Sequence, residues 1–179
     1  VTGVQTCALP ISRASGAARV VRAMPNTPAL IGQGMTGLYA NAAATAQDRA
    51  CVEALLAPTG EHLWVAREAD LDAVTALSGS GPAYVFYFIE AMMQAGHDLG
   101  LDEAQARRLA QATFAGAAAL ASRSEESPAT LRERVTSKGG TTYAALTSME
   151  DDGVKAAFVK ALHAAARRAR ELGDDFERP

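Results

Sequence analysis

A chain of 179 residues, 49% of them hydrophobic, is long enough for one ordinary domain or one and a half with a proper core. Its 17 basic and 20 acidic residues leave a net charge of −3 with no Lys/Arg block, which argues against a nucleic-acid surface. No stretch approaches the ~20 apolar residues that span a bilayer, Cys7 and Cys51 make no disulfide framework, and His62, His97 and His163 have no ligand spacing, so the expectation is a soluble, cytoplasmic protein without a metal.

The chain opens on VTGVQTCALPIS, which continues into no periodic pattern, lacks the basic start and apolar run of a signal peptide, and resembles the translation of a common sequencing adapter. We set residues 1–12 aside as an artefact, Cys7 with them. ARVVRAMPNTPAL is a short apolar run ending in two prolines that bracket Asn26 and Thr27, which predicts a strand entering a rigid loop. GMTGLYAN, residues 34–41, predicts a second strand. Thr45, three residues before Asp48, predicts a capped helix that stops near Pro58 and Gly60, and HLWVA predicts a third strand. Strand, strand, helix, strand is too little to bury a sheet that needs helices on both faces, so more chain is expected ahead of it.

From Glu68 onward the pattern is helix after helix. GSGPAYVFYFIEAMMQAGHDLG places Pro82 near the first helical position and Gly100 past the end. Its apolar residues fall nearly all round, including Phe86, Phe88, Ile89, Met92 and Met93, and a helix of that kind is normally buried, here against another subunit. Asp102 and Gln105 open the next helix, and Ser127 with Pro128 a short one. The last helix carries one apolar stripe, Val154, Phe158, Ala161, Leu162, Ala165, Ala169 and Leu172, and is expected to stop at Gly173. Arg167, Arg168 and Arg170 in its final turns complement the helix dipole.

Standard motifs are mostly missing. SGSGPAY lacks the dinucleotide-binding spacing, KGGTT has its lysine ahead of the glycines and so is no P-loop, and no HExxH or nucleophile elbow occurs. What remains is VTSKGGTT, residues 135–142. It is either helix punctuation or an anion cradle: Gly139 and Gly140 let a ligand approach the backbone, and Thr141 and Thr142 open a helix whose free N–H groups face the same space, with Ser137 adding a hydroxyl. A loop with no His, Asp or Glu suits a small carboxylate or phosphate and leaves proton transfer to a hydroxyl, water or the substrate itself.

RAMPNTPALIGQGMTGLYAN, EADLDAVTALSGSGPAYVFYFIEA and VTSKGGTTYAAL, in this order and spacing, resemble pyrroline-5-carboxylate reductase, which forms proline in the last step of its biosynthesis. The resemblance implies an α/β remnant of a Rossmann domain over residues 13–67, followed by an all-α dimerisation and substrate-binding domain over residues 68–176. It implies NADPH or NADH as cofactor, a pyrroline-5-carboxylate substrate, and a homodimer or higher oligomer with no nucleic-acid or membrane partner. Carried over by position, Glu68, Ser137, Gly140, Thr141 and Thr142 would bind substrate, with the Thr142 hydroxyl nearest the ring nitrogen as the catalytic contact. Met24, Pro25 and Asn26 would lie by the nicotinamide. Arg134 and Lys138 depart from the family pattern, and no role is carried over to either. The resemblance also implies that this stretch is inactive alone, the glycine-rich dinucleotide loop of the family lying ahead of it. Two other readings stay open: a non-enzymatic helical dimerisation module whose loop holds an anion incidentally, and a related imine or hydroxyacid reductase.

Overall fold

The structure, a computed structural model, describes residues 19–177; residues 1–12, set aside above, lie outside them, as do residues 13–18. Among the described residues three strands form one sheet in the order β1 (Val21–Met24), β2 (Gly34–Ala40), β3 (Gly60–Trp64). β1 pairs antiparallel with β2, Met24 facing Gly37, and β2 pairs parallel with β3, Gly34 facing Gly60. Leu38 of the central strand is wholly buried, as is the side chain of Thr36. The parallel ladder starts on two glycines for a steric reason. A Cβ on Gly60, which sits at φ +127°, would stand 2.2 Å from the Gly34 carbonyl oxygen.

Between β2 and β3 runs α1 (Ala46–Leu56), opened by the expected capping box. The Thr45 hydroxyl accepts from the Asp48 N–H at 3.2 Å, and an Asp48 carboxylate oxygen accepts from the Thr45 N–H at 2.8 Å. Those Thr45 bonds, backbone N–H first and hydroxyl second, hold the Asp48 carboxyl below its usual range, and Arg19 adds to the effect. α1 docks on β3 through Trp64, whose indole N–H donates to Glu53 at 2.6 Å while the Arg49 guanidinium covers the ring at 4.6 Å.

After β3 the chain turns through Glu68 into α2 (Asp70–Val74) and a single wider π-type turn, Thr75–Gly79. α2 lies close on the sheet because Gly37 has no side chain; a Cβ there would come within 2.6 Å of Val74. Next follow α3 (Gly81–Asp98), α4 (Glu103–Arg123), α5 (Pro128–Arg134), α6 (Thr141–Asp151) and α7 (Val154–Glu177). The Asp102–Gln105 capping box and the Ser127 cap form as expected. β3 begins two residues earlier than HLWVA suggests, on the backbone of Gly60 and Glu61. Gly173 does not stop α7, which continues through it; Arg168 pairs with Glu171 on its exposed face at 3.1 Å.

The chain packs as two compact units, one running to Pro82 and resuming at Lys160, the other spanning Ala83–Val159. In the second, α3 and α4 approach closely where Gly96 meets Ala106, so that Ala106 and Ala110 are buried. Phe158 packs edge-on against Tyr84 and Phe88, with ring centroids 5.8 and 5.5 Å apart. α3, apolar nearly all round, is not buried among the described residues: Val85, Phe86, Tyr87 and Met92 are exposed, Phe86 by 58%.

Candidate functional site

In the second unit the VTSKGGTT segment joins α5 to α6. The chain leaves α5 with the Thr136 N–H bonded to the Glu133 carbonyl and its hydroxyl donating to the Arg132 carbonyl at 2.6 Å. It then closes a tight turn in which the Gly140 N–H donates to the Ser137 carbonyl at 3.0 Å. Gly139 sits at φ +75°, where a side chain is strained. At Gly140 a Cβ would stand 2.5 Å from the Ser137 hydroxyl oxygen, so glycine here lets that oxygen lie against the helix entrance.

Gly140 is also the N-cap of α6, and no side chain caps it. The first helical bond runs from the Ala144 N–H to the Gly140 carbonyl, so the amides of Thr141, Thr142 and Tyr143 precede the helical ladder. Ser137, Gly140, Thr141 and Thr142 are thus brought to one helix entrance, with Thr142 half-buried and Ser137 and Thr141 exposed. Backbone donors, a helix dipole and hydroxyls at one entrance are the groups that can hold a small anion. Arg134, at the end of α5, is engaged by Glu126 in an ion pair.

The first unit gathers the other candidates. Met24 ends β1 and is 4% exposed, with Pro25 and Asn26 following as half-buried residues. The Asn26 side chain bonds at both ends of its amide: its Oδ1 accepts from the Met35 N–H at 2.9 Å and its Nδ2 donates to the Ser78 hydroxyl at 3.1 Å. The Asn26 side chain therefore ties this loop to β2 and to the turn after α2. Gly79 stands behind Met24, and a Cβ on it would reach 2.5 Å from the Met24 methyl carbon.

Glu68 lies in the turn before α2, where its carbonyl accepts from the Leu71 N–H at 3.0 Å. Its carboxylate is held by Arg22 of β1 at 3.0 Å, the two side chains being 27% and 12% exposed. Close by, burial pushes the Asp72 carboxyl above its usual range, with Arg22 and Arg170 drawing it back. Beside Glu68, Arg67 grips Asp70 at 2.6 Å, and that bond holds the Asp70 carboxyl low.

Three residues of this region escape a sequence reading: Arg22, Ser78 and Gly79. The signal for the last two was present in SGSGPAY, whose spacing excludes a dinucleotide fingerprint but whose small residues sit on the π-type turn, a feature frequent at functional sites. Arg22 carries no local signal, because its partner is 46 residues away. Shallow depressions along α4, lined by Glu103, Arg107 and Gln111 or by Leu101, Leu109 and Thr113, hold none of the candidate residues. Among the described residues no cluster of three metal-ligating side chains occurs, and no helix is long and apolar enough to cross a membrane.

Residues 68–172 match the family model described as pyrroline-5-carboxylate reductase dimerisation. The pyrroline-5-carboxylate reductase of Pseudomonas aeruginosa is 51% identical over 157 residues, covering 88% of this chain and 58% of that protein. The enzyme of Corynebacterium melassecola is 44% identical over 171 residues, 96% of this chain and 63% of its own length. Among solved structures, a pyrroline-5-carboxylate reductase from Coxiella burnetii superposes with a TM-score of 0.84 at 43% identity, over 88% of this chain and 58% of that one. A Plasmodium falciparum pyrroline carboxylate reductase with NADP bound gives 0.82 at 32% identity, over 87% and 61%. The chain thus spans about 60% of the length of these relatives.

Proposed function

The chain belongs to the pyrroline-5-carboxylate reductase family, and from that premise we propose that the protein reduces 1-pyrroline-5-carboxylate to L-proline with NADPH or NADH. The observation that carries this reading is the uncapped entrance of α6 behind Gly139 and Gly140, a cradle for a small carboxylate built without any strong acid or base.

The substrate is a cyclic imine bearing a carboxylate. Protonated at nitrogen, its ring carbon is electrophilic, so the protein needs to hold the iminium ion rather than protonate it. In this reading the N–H groups at the start of α6 and the Ser137 hydroxyl bind the carboxylate, and Gly140 gives the ligand room at the backbone. The Thr142 hydroxyl, on the same entrance, contacts the ring nitrogen and fixes the ring face. Glu68 keeps the substrate-contacting role that the resemblance implies for its position. Met24, Pro25 and Asn26 keep the place beside the nicotinamide that the resemblance implies for them, the nicotinamide being the group that supplies hydride when bound. The dinucleotide phosphates have no glycine-rich turn between strand and helix among the described residues. For such a reaction the catalytic effect is positioning of the imine carbon at about 3–3.5 Å from the donor.

The exposed apolar face of α3 supports a homodimer or higher homo-oligomer, in keeping with the dimerisation family model. The boundary at residue 68 between the sheet region and the helical region is proposed on the same grounds.

A comparison of substrates tests the reading. The full-length gene product carrying these residues should oxidise NADPH or NADH with pyrroline-5-carboxylate, and kcat/KM should fall about a hundredfold with 1-pyrroline, which lacks the carboxylate. Equal activity on both would point to a general imine reductase, and inactivity on both to a helical module that only dimerises.

A further inference from the structure

One strand supports two candidate regions of the first unit. The C-terminal end of β1 delivers Met24 against Gly79 and Asn26 to Ser78, while two residues earlier the same strand sends Arg22 to Glu68. Arg22 faces Tyr39 in the ladder, so its backbone is held by β2, and only 12% of its side chain is exposed. A guanidinium at that depth needs carboxylate partners, and it has Glu68 at 3.0 Å and Asp72 within electrostatic reach, with Arg170 and Asp174 completing the charged group around Asp72. A surface ion pair would contribute little to the geometry of either partner. This one is different because both backbones are already fixed, Arg22 by the strand and Glu68 by its bond to the Leu71 N–H. The guanidinium thus ties the Glu68 carboxylate to the strand that carries the Met24–Asn26 loop.

We propose that Arg22 is a positioning residue for the reduction, holding the Glu68 carboxylate in register with the Met24–Asn26 loop through their common support on β1. The inference rests on the proposed reductase activity and on Glu68 meeting the substrate. Lysine at position 22 keeps the charge but is a single point donor on a flexible stem, whereas the guanidinium is a planar fork that fixes its partner's orientation. Methionine keeps the stem and removes the charge.

The test is a double-mutant cycle on the full-length gene product, using Arg22→Met, Arg22→Lys, Glu68→Gln and the Arg22→Met/Glu68→Gln pair. KM for pyrroline-5-carboxylate, KM for the nicotinamide, kcat and the thermal midpoint are read for each. Arg22→Met should raise KM for pyrroline-5-carboxylate about tenfold, as loss of one charge-assisted contact would. Arg22→Lys should raise it by a smaller factor, and nicotinamide KM should move little in either. In the Glu68→Gln background Arg22→Met should add almost nothing to KM, because the residue it positions is already compromised. Multiplying losses in the double variant, or an unchanged substrate KM in Arg22→Met and Arg22→Lys, would make Arg22 a structural ion-pair partner only and overturn the inference. Should Arg22→Met fail to fold, Arg22→Lys with and without Glu68→Gln gives the same discrimination. A folded wild-type protein that does not reduce pyrroline-5-carboxylate would overturn the reductase reading and this inference with it, whereas active wild type with unmoved KM values overturns the inference alone.

Discussion

Asn26 bonds Ser78 across 52 residues of chain, its side-chain amide donating to the serine hydroxyl at 3.1 Å while its carbonyl accepts from the Met35 N–H at 2.9 Å. One side chain thus pins the loop after β1 both to the start of β2 and to the π-type turn beyond α2. Asn26→Ala leaves the Met35 N–H without this acceptor and should destabilise the fold by about 1–2 kcal/mol. Ser78→Ala removes only the second bond and should cost about half as much, with the two losses not additive in the double variant. Denaturant unfolding of the three variants checks this.

Gly79 makes a prediction in which stability and activity separate. The atom that an alanine Cβ would crowd is the Met24 methyl, the far end of a flexible side chain. Gly79→Ala should therefore lower stability by less than about 1 kcal/mol while displacing Met24 and raising KM for the nicotinamide. Unfolding curves and nicotinamide titrations on the same preparation distinguish the two effects.

Within the sheet, two buried side chains on β2 should respond in opposite directions. Leu38→Ala empties a fully buried site and should cost about 3 kcal/mol. The Thr36 hydroxyl is buried with no hydrogen-bond partner among the described residues, so Thr36→Val exchanges an unsatisfied polar atom for a methyl of similar size. That substitution should stabilise the fold by about 1 kcal/mol. Equilibrium unfolding gives both values.

Asp72 sets a pH dependence. Burial raises its carboxyl above the ordinary value of 3.8, so between that value and the folded one the native state binds the extra proton. Its contribution to stability is present at low pH and is lost as pH rises through the folded pKa. Asp48, lowered by its Thr45 bonds, acts in the other sense and contributes stability that disappears as pH falls below 3.8 through its folded pKa. Asp72→Asn should flatten the loss on the alkaline side of 3.8 and leave the acid-side loss in place, as read from unfolding between pH 2 and pH 6, an interval of about two units on either side of a carboxylate's ordinary pKa.

Local chemistry was legible in the sequence: Thr45 with Asp48, Asp102 with Gln105, Ser127 with Pro128, and the glycine pair before Thr141 all act within a few residues, and all form as read. Gly173 misled because a glycine in a helix costs only about 1 kcal/mol relative to alanine, which neighbouring turns absorb. Arg22 with Glu68 and Asn26 with Ser78 were beyond reach, since separations of 46 and 52 residues leave no periodic trace. The sequence shows α3 as apolar nearly all round, and among the described residues Val85, Phe86, Tyr87 and Met92 on it stay exposed.

Thr142 is the residue through which the proposed binding of the imine at the KGGTT entrance to α6 is tested. The most direct measurement is proline formation from pyrroline-5-carboxylate and NADPH by the full-length gene product, followed by mass spectrometry, beside Thr142→Ala. The wild type should form proline, and a folded Thr142→Ala should lose about a hundredfold in kcat/KM, the scale of one lost hydrogen-bonding group at a reacting centre. Undiminished proline formation by Thr142→Ala, or none by the wild type, would contradict it.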